Sequence, residues 1–352
     1  MSRERETLIK DERDELVPFK YSITSYGADF DVDGLVKRID RDDIFVPPFQ
    51  RGYVWNINQA SRFIESLLLG LPVPGIFLSK EEDSQKLIVI DGQQRLRSLL
   101  YFYQGVFVPT GKVFALTGIK SRFKGLTYRK LTPEDKRRLD DSIIHATIIR
   151  QDEPDDGNSS IYFVFERLNT GGTQLQPQEI RMALYHGPFK EVLDELNNEP
   201  SWRSLYGLIS PRKRDIELIL RFFALLYEAD SYQKPMKEFL NTYMGSNRYL
   251  QKQPREQLWL DFTNTVSIIE RYIGNKAFKP KRALNAAIFD SIMVGIKKRL
   301  NKGEIANGNQ LKQIYQALLI DPEYIKVTET ATSDEENVRR RIEITTKVFE
   351  DA

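Results

Sequence analysis

Hydrophobic positions change period several times along this chain, and each change marks an element. In NQASRFIESLLLGLPVPG, Ala60, Phe63, Ile64, Leu67 and Leu68 recur at helical spacing and share one face. Asn56 or Asn58 can cap that helix, and Gly70 followed by Pro72 ends it. GIFLSK and KLIVI are short apolar runs joined by the polar EEDSQ, which predicts two neighbouring strands and a hairpin. After Asp91 the period returns to that of a helix, with Leu96, Leu99, Leu100 and Tyr103 as its stripe. IIHATIIR (143–150) reads as a further strand, with His145 as a packed histidine, and QDEPDDGNSS after it as a loop. IYFVFERLNTGGTQLQPQEIRMALYHG predicts helix, Gly-Gly turn and helix. Upstream, YSITSYGADFDVDGLVKRID mixes strand-like and helical patches. DDIFVPPFQRGYVWN is a short strand that Pro47 and Pro48 stop in a rigid, extended turn.

From about Pro188 the pattern is almost wholly helical, and DIELILRFFALLYEAD is apolar nearly all round, as a core helix is. The expected fold class is therefore α+β, a mixed N-terminal domain with an appended all-α domain. Its segments are a charged leader over 1–20, a mixed domain over 21–185 and a helical domain over 186–352. The length of 352 residues suits two such domains. Apolar residues make up 41% and charged residues 29%, an ordinary soluble balance, and the net charge of +2 leaves any nucleic-acid surface to local patches. With no cysteine, disulfides, thiolate catalysis and cysteine-bound metal are excluded. His145 and His186 are the two histidines, too few for a histidine metal cluster. No apolar run reaches the roughly 18 residues of a membrane span. The charged start MSRERETLIKDERDEL has no apolar signal core, so a cytoplasmic protein is expected.

Three polar turns interrupt this apolar scaffold. In IVIDGQQRLRSL, a strand ends and a helix opens at Asp91, Gly92, Gln93, Gln94 and Arg95. A helix start offers unpaired N–H groups and the positive end of its dipole, which suits phosphate. Gly92 permits close backbone approach, and Arg95 supplies a planar fork of donors. Asp91 is the odd member, since a carboxylate repels an anion unless it holds a cation or a water, or caps the helix. Asp91 as N-cap with Arg95 as a surface charge fits the pattern equally well. In VPPFQRGYVW, Gln50 and Arg51 follow the Pro-Pro turn among Phe49, Tyr53 and Trp55, a setting for phosphate or base contact or for core aromatics. In FERLNTGGTQLQPQEIR, Asn169, Thr170, Gly171 and Gly172 form a helix-ending turn, with Glu166, Glu179 and Arg181 beside it. The runs KSRFKGLTYRKLTPEDKRR and SWRSLYGLISPRKRD mix basic and aromatic residues, which fits a phosphate-backbone footprint, although a solvated helical face is the usual form of such runs.

Together these motifs, followed by RDIELILRFFALLY, resemble the N-terminal module of the GmrSD-type, modification-dependent restriction endonucleases, the DGQQR-motif family, from about Phe45 to at least Met244. The resemblance implies a ParB/sulfiredoxin-like fold for the first domain. It also implies nucleotide binding and NTP hydrolysis at the DGQQR turn, controlling action on phage or modified DNA. On that reading Asp91, Gln94 and Arg95 are catalytic. Gln50, Arg51, Gly92, Gln93, Asn169, Thr170, Gly171 and Gly172 hold the nucleotide, and Glu166, Glu179 and Arg181 support them. Mg²⁺ accompanies the NTP, with Asp91 as its ligand or as the residue orienting the attacking water. The expected partners are a nucleotide, DNA, a separate nuclease or effector subunit, and further copies of the chain. Neither histidine stands in a His-Asn-His arrangement, so HNH-type cutting is not expected. Two other functions remain open: a non-enzymatic DNA-binding sensor, and a metal-dependent nuclease using Asp91 and Glu166 in the same pocket.

Overall fold

The computed structural model of the protein describes residues 23–46, 52–81, 85–151, 164, 176–281 and 283–352. They divide into two compact units, with the second beginning at Gln176.

In the first unit the chain runs through β1 (Ile23–Asp31), α1 (Val32–Asp40), β2 (Ile44–Phe45), α2 (Ile57–Leu68), β3 (Ile76–Lys80), β4 (Leu87–Asp91) and α3 (Gln93–Gln104). The short pair β5 (Val106–Phe107) and β6 (Lys112–Val113) follows, then α4 (Pro133–Asp140) and β7 (Ile143–Gln151). The main sheet has the order β1-β7-β3-β4-β2. β1 is antiparallel to β7, β7 parallel to β3, β3 antiparallel to β4, and β4 parallel to β2. The stretch that mixes strand and helix patterns resolves at Asp31, whose carboxylate accepts from Gly34 N at 2.6 Å and starts α1. Asn56, not Asn58, caps α2, in a capping box with Gln59.

Alternation sets the core. Ile144, Ala146 and Ile148 of β7 join Ile76 and Leu78 of β3, Leu35 of α1, Ile64 of α2 and Leu99 of α3 in one cluster. On α3, Leu96 and Leu99 are fully buried, whereas Leu100 and Tyr103 pack at the margin. Phe102, outside the expected stripe, is buried completely. His145 points the other way: its side chain is 63% exposed and its Nδ1 lies 2.8 Å from Asp29. It is therefore a surface histidine, which corrects the packed one that its apolar neighbours suggest.

The second unit is helical throughout its described residues: α5 (Pro177–Leu184), α6 (Pro188–Leu196), α7 (Pro200–Tyr206), α8 (Arg214–Glu228), α9 (Met236–Ser246), α10 (Arg255–Tyr272), α11 (Ala286–Leu300), α12 (Gly308–Leu318), α13 (Pro322–Glu329) and α14 (Glu335–Phe349). α8 is a core helix, as its apolar surface implies, and α11 is buried continuously from Ala287 to Ile296. Charges tie these helices together inside the core. Asp290 of α11, with no exposed surface, accepts from Arg221 Nε (3.0 Å) and Nη2 (2.6 Å) on α8 and from Arg341 Nη2 (3.0 Å) on α14. α5 packs within this compact unit, against α8 and α9. Among the described residues no helix is long and apolar enough to cross a membrane.

Candidate functional site

β4 ends at Asp91, and Gly92 turns the chain into α3 with φ 105° and ψ 3°. Glycine is required here twice over. The left-handed backbone disfavours any side chain, and a Cβ on Gly92 would lie 2.4 Å from Ile76 Cγ2. Gly92 is also the N-cap of α3, and no side chain caps the helix start. Asp91 is thus not the cap. Its carboxylate, half exposed, accepts from Arg95 Nη2 at 2.8 Å. The same Nη2 donates to Gly75 O at 2.9 Å, and the Arg95 side chain is only 15% exposed. Arg95 is therefore a held guanidinium and not a loose surface charge. Gln93 and Gln94 are both buried.

Gln94 faces the second polar turn. Its Oε1 accepts from Val54 N (2.9 Å) and Trp55 N (3.2 Å), and its Nε2 donates to Gly52 O (3.5 Å). One helical turn on, Ser98 Oγ donates to Gln94 O and meets Tyr53 OH, each at 2.7 Å. Burial pushes the Tyr53 hydroxyl up to about 12, against the opposing pull of its Ser98 hydrogen bond. Tyr53 also packs edge-on against Tyr101 and Phe107, and Trp55 against Phe63, so these two of the motif's three aromatics serve the core. The chain immediately after Arg51 is thereby fastened to the start of α3. Gln50 and Arg51 themselves lie outside the described residues, as do Glu166, Asn169, Thr170, Gly171 and Gly172.

Glu179 and Arg181 belong to the helical unit and act within it. Glu179 accepts from Gln176 N at 2.6 Å and pairs with Arg212 at 3.0 Å. Arg181, almost wholly buried, donates to Asn241 (2.7 Å), Gln178 (2.8 Å), Glu217 (2.8 Å) and Lys237 O (3.3 Å). Each donor nitrogen of Arg181 is engaged inside the bundle.

One feature next to the turn is not evident in any motif. Asp29 and His145 pair across β1 and β7, and a Cβ on Gly75 would lie 2.7 Å from His145 O. Gly75 O in turn receives Arg95. An exposed carboxylate–imidazole pair thus stands one strand away from Arg95. The signal for it is the alternation Ile144-His145-Ala146, which puts His145 opposite the core face. Among the described residues no group of three or more His, Asp or Glu gathers as a metal site.

A solved structure of a Pnob8-like ParB-N domain is similar at 10% identity, covering 93% of this chain and 98% of its own, but with a TM-score of 0.22 it has no bearing on the fold. No curated protein matches the chain. Residues 32–186 match the family described as GmrSD restriction endonuclease, N-terminal domain, a span that takes in every element from α1 through α5 and both fastened turns. Over residues 32–186, then, the chain is similar to the N-terminal domain of the GmrSD restriction endonucleases.

Proposed function

We propose that this protein serves restriction-type defence against phage DNA, and that it binds and hydrolyses an NTP at the Asp91–Arg95 turn to control action on DNA or on a separate effector. One observation carries the reading: Gln94 fastens residues 52–55 to the uncapped start of α3. This supports a shared site, because residues 52–55 directly follow the Gln50–Arg51 turn that the sequence marks for phosphate contact. The match of residues 32–186 to a restriction-endonuclease domain family is the independent support.

In this reading Gln93 and the first-turn N–H groups of α3 hold phosphate oxygens, Arg95 adds a charged fork, and Arg51 is a second clamp. Asn169 with Gly171 and Gly172 closes the site. Gln94 positions the Arg51 segment and does not itself touch the reacting atoms. Asp91 suits Mg²⁺ as a single carboxylate beside an ion carried by the nucleotide phosphates, since one half-exposed oxygen pair is no cage. Phosphate at the turn offers Arg95 a competing anion and releases Asp91 to orient that ion or the attacking water. The alternative, a nuclease working through Asp91 and Glu166, predicts cleavage of plasmid DNA with Mg²⁺ or Mn²⁺.

Phosphate release from each NTP with Mg²⁺, compared among wild type, Asp91→Asn and Arg95→Gln, tests this. Either variant should lose about 100-fold or more in kcat if the residue acts on the transition state. Background-level release in all three removes the hydrolase. Binding of a non-hydrolysable analogue then decides whether nucleotide binding survives.

A further inference from the structure

We propose that the surface made by the 118–130 loop and α4 binds the phosphate backbone of duplex DNA. The proposal rests on the reading that DNA is what this protein acts on, and it assigns the place of contact.

The two basic runs differ once folded. In the 202–214 run three of the four cations are paired internally: Arg203 lies 3.0 Å from the buried Asp215, Arg212 3.0 Å from Glu179, and Lys213 4.0 Å from Asp194. Residues 120–138 hold eight Lys and Arg against Glu134 and Asp135, a net +6, where the whole chain carries +2. Only Arg122 among these cations forms an ion pair, with both its terminal nitrogens on Asp135 (3.0 and 2.5 Å). Lys136 turns inward, over the Tyr128 ring and onto Arg129 O at 3.2 Å. These contacts, with Thr132 capping α4, fix the loop to the helix. Lys120, Lys124, Arg129, Lys130, Arg137 and Arg138 are left exposed and without an ion pair among the described residues.

Three features select duplex DNA as the occupant. A fixed array of cations with no counter-charge matches a polyanion, whose binding releases condensed counterions. No exposed large hydrophobic residue lies between Val113 and Ile143, so the surface has no apolar centre of the kind a protein interface buries. Nor does it offer a ring on which unpaired bases could stack. Phe123 is buried, and Tyr103 and Tyr128 stack on each other at 4.1 Å with both hydroxyls on Asp140. Backbone contacts of this kind position the duplex and carry no sequence preference.

The test uses the full chain and a short duplex of arbitrary sequence, with affinity followed by fluorescence anisotropy from about 50 to 200 mM salt. The surface variant is Arg129→Gln/Lys130→Gln/Arg137→Gln/Arg138→Gln. The control, Lys276→Gln/Lys312→Gln/Lys326→Gln/Lys347→Gln, removes the same charge from exposed positions of the helical unit. For every DNA phosphate that the surface variant no longer neutralises, the slope of log K against log salt should fall by about 0.9 and the affinity at 0.1 M salt by up to about eightfold, with the control unchanged. Equal binding by the surface variant and wild type, or an equal loss in the control, overturns the assignment. Tighter binding of single strands, or competition by poly-glutamate as strong as by DNA, overturns it in favour of unpaired strands or an acidic protein. A wild type that binds no duplex at low salt also ends it. Phosphate release on the same preparations is read separately, so this surface and the hydrolytic turn can fail independently.

Discussion

The carbonyl of Gln94 takes two backbone N–H groups, those of Val54 and Trp55, at 2.9 and 3.2 Å. Removing the acceptor leaves both without their partner, at a cost of about 1–3 kcal/mol. Gln94→Met should therefore lower hydrogen-exchange protection at Val54 and Trp55 and weaken binding of a non-hydrolysable NTP through the displaced Arg51. Gln94→Glu keeps an acceptor and should restore the protection. Unchanged protection in the methionine variant would show that residues 52–55 are held by something other than this side chain. The glutamine is polar and sits at a helix start, and by type alone it suits a ligand contact equally well. Its position opposite the 52–55 backbone is what gives it the other role. Gly92 is the reverse case, because a glycine at a strand-to-helix junction already implies a backbone that side chains avoid, and φ 105° bears that out.

α4 starts with two devices readable in the sequence, Thr132 as N-cap and Pro133 in the first turn. Asp135 adds a third that is not. Burial by itself raises this carboxyl, but the Thr132 hydroxyl and the Arg122 guanidinium outweigh it and hold Asp135 below the usual carboxylate range. Because the folded value lies below the unfolded one, near 3.9 for aspartate, its contribution is complete above about pH 4. It is lost as the pH falls through the lower, folded value. Thermal midpoints of wild type should thus drop more steeply below about pH 4 than those of Asp135→Asn, and parallel curves would refute the linkage. The packing of α5 is another feature that periodicity does not show. Its apolar spacing is ordinary, and only the bonds of Arg181 to Asn241 and Glu217 show which core it joins.

Each unit has its own core, and their stabilities can be perturbed apart. In the helical unit, the fully buried carboxylate of Asp290 pairs with both Arg221 and the buried Arg341. Asp290→Asn keeps the shape and leaves two buried guanidiniums without a counter-charge, at a cost of roughly 3–5 kcal/mol. Hydrogen exchange should lose protection in α8 and α11, while β4, α3 and β7 keep theirs. Equal losses in both units would mean that the chain unfolds as one cooperative body.

Period and punctuation alone were enough to read the hairpin of β3 and β4, the helices α2 and α3, the strand β7, the buried α8 and the polar turn at Asp91–Arg95, because helical and strand spacing are local properties of the chain. The sheet order β1-β7-β3-β4-β2 was not legible, since it joins Ile23 to Gln151 across more than a hundred residues and leaves no local trace. For the same reason the sequence carries no sign that Gln94 binds the backbone of residues 52–55, a contact that only the fold supplies. Charge followed the same division. The sequence counted the cations in both basic runs, and the tertiary structure decided which carboxylates reach them, pairing three of the four cations of 202–214 and leaving six cations of 120–138 open to solvent.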